Sequence, residues 1–570
     1  MYIEKPNRNF VAKDCIVQSW DSIKSYFESL DQRLIENQED AQHWLRDRSE
    51  LEAFLEEDLA WRYIKMSIDT KNKEKVDAYT KFVTEIQPKM APFDDRLNRK
   101  MVENSHIMNL SSDAAHAIYF RSIKSALSIF RQDNISIEAY LNEKAQEFGA
   151  ISAAQSIVHE GKTLTMQQAS QFLKDPKEEV RKEVFEKMAE RRREDCQKLD
   201  DLFSDLLVKR HELAVNAGFQ NFRDYKFVAM GRFDYSKEDC FAFHEAIKQE
   251  VVPLVKAIQL RKLEQLGKSH FKPWDLEVDP KGRKPLKPFE SGEEMLTGTI
   301  AMFKRLDPYF ADCIDTMKEM GHLDLDSKHG KAPGGYNYPL YEIGVPFIFM
   351  NAVGAHRDLV TMVHEAGHAV HSFLSRDLQL TAFKNFPSEV AELASMSMEL
   401  LSMDLWDEFY PITEELNRAK QEHLEDILKI LPWIAQIDAF QHWIYTNPTH
   451  NIKERHTQWM KLSTDYGTGL VDWKGFEDLR ETSWQRQLHL FEVPFYYIEY
   501  GIAQLGALGV WMNSLQDKDN ALTSYKHALS LGYTQSLPEI YQAASVPFDF
   551  SVNRLKLLVE NIKRYLEKLN

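Results

Sequence analysis

Apolar residues recur at three- and four-residue spacing through most of the chain, which predicts a predominantly α-helical fold. From Asp14 to about Lys268, long amphipathic stretches alternate with short breaks; Glu178 to Asn216 and Lys237 to Leu266 are examples. Helical patterning resumes at about Asp358 and runs to the end. Between these regions, residues 325–354 carry the only clear strand-like material, so a small β element is expected there. Its apolar run Val345 to Asn351 is flanked by Gly344 and Gly354. Asp279 to Pro288 reads as a loop from its Pro and Gly content, and Asp465 to Gly469 as another. No internal repeat is present.

One helical segment carries chemistry. Asp358 to Leu374 places Leu359, Val360, Val363, Val370, Phe373 and Leu374 at helical spacing with no proline inside. It contains His364-Glu365-Ala366-Gly367-His368. Residues four apart lie one above the other on a helix face, so both imidazoles can reach one metal ion. Glu365 lies about 100° further round, where a carboxylate can serve a metal-activated water as general base. Gly367 costs such a helix about 1 kcal/mol relative to Ala. It is expected to let another backbone come close to the metal.

A catalytic zinc takes three protein ligands and keeps a fourth position for water. The stretch Pro387 to Glu399 reads as a second helix with Ser388 as N-cap. Glu389, Glu392 and Glu399 fall close to one face of it, among Ala, Leu and Met. One can ligate the metal and another can accept the free N–H of a ligand histidine. Spacing does not rank Glu389 against Glu392. Position 374 is Leu, so a three-histidine arrangement of the H-E-x-x-H-x-x-G-x-x-H type is excluded. Further on, His489 is followed by Tyr496, Tyr497 and Tyr500. Tyr O–H and His N–H groups are suitable donors to a developing oxyanion.

These motifs together resemble the thimet oligopeptidase and oligoendopeptidase F family of zinc peptidases. The match runs through His364-Glu365-x-Gly367-His368-x-x-His371, Glu392-x-x-Ser395, and His489 with the Tyr497/Tyr500 pair. Asn221 to Tyr225 and Trp274-Asp275 also look like family landmarks. The resemblance covers about residues 200–570. It implies two helical lobes around a deep substrate channel: an N-terminal helical lobe, 1–190, and a catalytic lobe, 191–570. It implies one zinc ion held by His364, His368 and Glu392, with Glu399 as the carboxylate behind a ligand histidine. Glu365, His489 and Tyr500 are implied as catalytic. Tyr497, with His489 and Tyr500, is implied to contact substrate, as are Gly334, Gly335 and Tyr336 in a flexible covering loop. The run Val345 to Asn351 resembles an edge strand that pairs with a bound peptide, a mode exposed edges support.

The implied activity is zinc-dependent cleavage of internal bonds in short unfolded peptides by Glu-assisted attack of water. The Tyr497/Tyr500 and carboxylate spacings also resemble the angiotensin-converting-enzyme group, which makes a dipeptidyl carboxypeptidase the alternative. A non-catalytic zinc-containing peptide-binding protein is the third reading.

Composition narrows the picture. The net charge of −17 argues against nucleic-acid binding, which needs cationic surface. Arg191-Arg192-Arg193 is set among Glu190, Glu194 and Asp195 and reads as a solvated helix face. No run of 18 apolar residues occurs, so no membrane-spanning helix is expected. The N-terminus shows no apolar signal region, and the four cysteines have no metal-finger or paired spacing. A cytoplasmic enzyme with reduced thiols is the expectation.

Overall fold

The computed structural model describes residues 3–569. Helices dominate, and their ends follow from local chemistry. Helix α1 (Gln38–Ile68) is capped by Asn37, whose side chain accepts from the Asp40 N–H at 3.0 Å, with Glu39 and Asp40 in the positive first turn. Helix α2 (Glu178–Asn216) likewise opens on two glutamates. Four more helices build the site: α3 (His356–Ser375), α4 (Ser388–Ser402), α5 (Thr413–Thr446) and α6 (Tyr497–Ser514). Pro387 occupies the N-cap of α4 and Ser388 is its first helical residue, one position from the expectation. The Ser388 hydroxyl is engaged elsewhere, 2.5 Å from the hydroxyl of Tyr496.

Strands are few. β1 (Ser156–His159) and β2 (Lys162–Thr165) form an antiparallel hairpin that the apolar pattern does not announce. Its turn is Glu160-Gly161, with φ of +49° and +75°, the left-handed pair that a tight hairpin needs. The second sheet has the order β3 (Leu323–Asp326), β5 (Phe347–Ala352), β4 (Tyr336–Tyr338). β5 is parallel to β3 and antiparallel to β4. The apolar run Val345 to Asn351 is therefore the central strand, not the expected edge. Its side chains from Phe347 to Met350 are all buried, which is why the run is continuous rather than alternating. The edges are β3 and β4.

Buried apolar side chains group into two main cores. One joins residues from Val11 to Phe120 with Leu380 and Phe383; the other runs from Ile137 to Leu566. Position 190/191 lies inside the unbroken helix α2. The two main cores draw their residues from either side of positions 121–136, apart from Leu380 and Phe383.

A third, small core joins the lobes. Ala60 and Ile64 of α1 pack with Leu340, Phe347 and Phe349, so α1 lies over the sheet. Polar contacts fix it there. Glu57 accepts from the Ile343 N–H at 2.8 Å, and the Ser67 carbonyl accepts from the Ala332 N–H at 2.8 Å. Ser49 Oγ accepts from the Thr381 N–H at 2.7 Å. No described helix is long and apolar enough to cross a membrane.

Candidate active site

Helix α3 starts two residues before the sequence expectation and presents His364 and His368 one turn apart, with ring centroids 4.9 Å apart and planes at 87°. Helix α4 packs against it at Gly367. A Cβ there would lie 2.6 Å from Ser395 Cα and 2.8 Å from the Ala394 carbonyl oxygen. The close backbone allowed by Gly367 is thus that of the neighbouring helix, and the approach brings Glu392 to the histidines. Glu392 Oε2 lies 3.4 Å from His364 Nε2 and 3.9 Å from His368 Nε2. Ser395 Oγ donates to the same oxygen at 3.1 Å.

The structure separates the two glutamates that spacing left equivalent. Glu389 is also buried, but its Oε1 accepts from the Tyr235 hydroxyl at 2.6 Å. Glu399, two turns beyond Glu392, has its Oε1 2.6 Å from His364 Nδ1. Its other oxygen lies 3.4 Å from His423 Nε2 of α5. His423 carries no signal in the sequence, because no motif surrounds it and its partner Glu399 lies on another helix.

The donor set suits a metal cation. Tetrahedral zinc at about 2.1 Å from its N and O ligands separates them by about 3.4 Å, and the His364, His368 and Glu392 atoms all lie within 4.8 Å of one another. Charge points the same way. Glu365, Glu392 and Glu399 are 7, 7 and 8% exposed around two imidazoles, and buried carboxylates need a compensating cation. Burial alone would lower the His364 pKa, yet the hydrogen bond and charge of Glu399, with Glu392, raise it to about 10. His364 Nδ1–H donating to Glu399 would leave Nε2 to the metal. His368 is held well below its ordinary value by burial and by His364, and is a neutral imidazole. Burial also pushes the Glu365 carboxyl up to about 7.

β4, a half-buried edge strand of the sheet, runs beside α3. Asn337 Nδ2 donates to the Glu365 carbonyl at 3.3 Å. The preceding loop is tied down: Asn351 Nδ2 donates to the carbonyls of Ala332 and Gly334 at 2.9 and 2.8 Å. Gly334 has φ +94°, and a Cβ on Gly335 would lie 3.3 Å from the Phe349 carbonyl oxygen. Tyr336 is not in this loop but opens β4, its ring stacked on Phe349 at 4.9 Å.

His489 sits on the short helix Leu488–Glu492, and Tyr497 and Tyr500 lie on the first turn of α6. The structure brings them together: His489 is 4.7 Å from the Tyr497 ring and 6.0 Å from that of Tyr500. Two residues position them, Gln487, which is absent from the sequence expectation, and Tyr496. Gln487 lies between Trp433 and His489, at 2.8 Å and 2.6 Å. Tyr496 packs on Tyr500 at 5.3 Å while its hydroxyl meets Ser388 of α4. The turn into α6 is held from behind. Phe495, at φ +69°, donates its N–H to Gln441 at 2.6 Å, and its carbonyl accepts from Arg232, which also pairs with Glu499 at 3.0 Å. Burial pushes the His489 imidazole down to about 4, so it is neutral near pH 7.

The landmarks outside this cluster are structural. Asn221 caps the helix Phe222–Ala229, and Asp275 is buried against Arg181 at 2.7 Å. Arg193 pairs with Asp478 and Arg191 with Asp195.

Comparison with known proteins agrees with this architecture. A family model described as peptidase family M3 matches residues 171–553, and one described as the peptidase M3 N-terminal domain matches residues 15–130. An oligoendopeptidase F homolog of Borreliella burgdorferi is 22% identical over 478 residues, covering 82% of this chain and 76% of the relative. The plasmid oligoendopeptidase F of Lactococcus lactis subsp. cremoris is 22% identical over 372 residues, covering 65% of this chain and 56% of the relative. A solved structure of PZ peptidase A with an inhibitor superposes with a TM-score of 0.87 at 26% identity, covering 100% of this chain and 98% of that one.

Proposed function

The chain belongs to peptidase family M3, and from that premise we propose that it is a zinc-dependent oligoendopeptidase that cleaves internal bonds of short, unfolded peptides. The observation that carries this reading is the convergence of His364 Nε2, His368 Nε2 and Glu392 Oε2 beside Glu365.

His364, His368 and Glu392 are the zinc ligands in this proposal. When bound, the ion would supply the Lewis acidity for activating water near pH 7 and polarising the scissile carbonyl. The chain does the rest. Glu399 fixes the His364 tautomer through Nδ1. Glu365 takes the proton of the attacking water and returns it to the leaving amine. Its buried setting suits both directions of transfer, because burial moves its pKa toward neutrality. His489 and Tyr500 donate N–H and O–H bonds to the oxyanion, and Tyr497 flanks them. The edge β4 offers unpaired backbone groups to an extended peptide, the role first expected of the run now seen as β5. Gly334 and Gly335 lead into that edge.

Mass-spectrometric mapping of cuts in a peptide library of graded length tests the proposal, with and without chelator. Internal cuts that vanish on chelation, and that Glu365→Gln abolishes while retaining zinc, are expected. Release of C-terminal dipeptides alone would overturn the endopeptidase reading.

A further inference from the structure

A second convergence of metal-ligand side chains lies apart from the first. Cys240 and His244 stand four residues apart on the helix Lys237–Ala246, and Asp438 and His442 four apart on α5. Each spacing puts its pair on one helix face, and the two faces meet. His244 Nε2 lies 2.8 Å from Asp438 Oδ2, and His442 Nε2 lies 3.2 Å from the same oxygen. Ligand atoms of Cys240, Asp438 and His442 all lie within 4.8 Å of one another. All four side chains are buried, at 1, 6, 0 and 5% exposure respectively.

Hydrogen bonding leaves this cluster incomplete. Asp438 Oδ1 and His442 Nδ1 have no hydrogen-bond partner among the described residues. Aromatic rings stand around His442: Phe241 at 4.8 Å, Phe495 at 5.4 Å and Phe227 at 5.9 Å. Buried polar atoms are normally satisfied by protein, water or an ion, and an ion fits here best.

We propose that Cys240, Asp438 and His442 bind a structural zinc ion, distinct from the centre at His364, His368 and Glu392, with His244 orienting the Asp438 carboxylate. One thiolate, one carboxylate and one imidazole supply three positions of a tetrahedral zinc site, and His244 holds the Asp438 carboxylate from behind at 2.8 Å. Thiolate and imidazole ligands select zinc over magnesium or calcium. The Cys240 thiol releases its proton to solvent on binding. A dication with one thiolate and one carboxylate is then electrically neutral, which suits an apolar interior. The ion joins the helix Lys237–Ala246 to α5 beside Gln441, whose side chain holds the Phe495 N–H at the entrance to α6. It would stiffen the platform under Tyr497 and Tyr500.

Cobalt substitution of the full-length protein tests this, since only a thiolate ligand gives a near-ultraviolet charge-transfer band. Metal-free protein reloaded with Co²⁺ should hold two ions per chain and show that band. His364→Ala/His368→Ala should hold one ion and keep the band; adding Cys240→Ser should remove both. At most one ion in the wild type with no thiolate band would overturn the proposal, and this reading does not depend on any variant folding. A band that survives Cys240→Ser, placing the metal on another cysteine, would overturn it as well.

Discussion

Gln487 donates from Nε2 to Nδ1 of His489 at 2.6 Å, and this fixes which nitrogen of His489 carries the proton. The amide orientation follows from Trp433, whose indole N–H can only donate and must face Gln487 Oε1 at 2.8 Å. Nδ1 of the neutral His489 must then accept, and Nε2–H is free to donate. Gln487→Leu should lower kcat about tenfold, equivalent to about 1.4 kcal/mol, with zinc content unchanged. The same change in a His489→Phe background should have no further effect on kcat. Steady-state kinetics of the four proteins decides it; equal losses in both backgrounds would make Gln487 merely structural.

Glu392 and Glu389 should respond in opposite ways. Glu392→Gln should weaken zinc binding, read by competition with a chromophoric chelator. Glu389→Gln should leave zinc bound but disturb the buried contact with Tyr235. The cost should be about 1–3 kcal/mol in denaturant unfolding. A loss of zinc in the Glu389 variant alone would move the third ligand.

Gly367→Ala adds a methyl group where the backbone of α4 already stands, 2.6 Å from Ser395 Cα. Helix propensity favours Ala by about 1 kcal/mol, but overpacking costs about 1–3 kcal/mol or more. We expect a lower Tm and weaker zinc binding, because the displaced helix carries Glu392. An unchanged zinc affinity would show that the two helices can part without moving the ligand.

His356, the first residue of α3, gives stability a pH dependence. Burial, helped by His423, lowers its pKa to about 3, from 6.5 when unfolded. The unfolded chain therefore binds the extra proton first as pH falls. The stabilisation is present above pH 6.5 and is lost as pH drops toward 3, by roughly 3 kcal/mol between pH 7 and pH 4. Urea unfolding of metal-free protein should show a shallower acid slope for His356→Gln than for the wild type. Parallel slopes would mean that the imidazole is not buried as a neutral group.

Much of the candidate centre is legible in the sequence. His364, Glu365 and His368 are fixed by spacing that only a helix makes useful, and the helix ends within two residues of the predicted range. The choice between Glu389 and Glu392 was not readable. Three residues separate them, so both lie near one face, and what divides them is Tyr235, about 150 residues away in sequence. Gln487 and His423 were invisible for the same reason, since each acquires meaning from a side chain on another helix. The misassigned strand has a different cause. Val345 to Asn351 reads as β material, but its neighbour β3 has the sequence Leu-Asp-Leu-Asp, too short and charged to announce a partner. The continuous apolar run was itself the sign of a strand covered on both faces. The pairing of Cys240 and His244 with Asp438 and His442 shows the same limit, as i,i+4 pairs on separate helices spell no recognisable spacing.

The N-terminal core borrows Leu380 and Phe383 from far along the chain, and this bears on synthesis. Residues up to Phe120 leave the ribosome about 260 residues before Phe383 does. At about 5–20 residues per second, that interval lasts roughly 13–50 s. Throughout it the first lobe lacks the two side chains, Leu380 and Phe383, that complete its core, so that core closes only after most of the chain has been made.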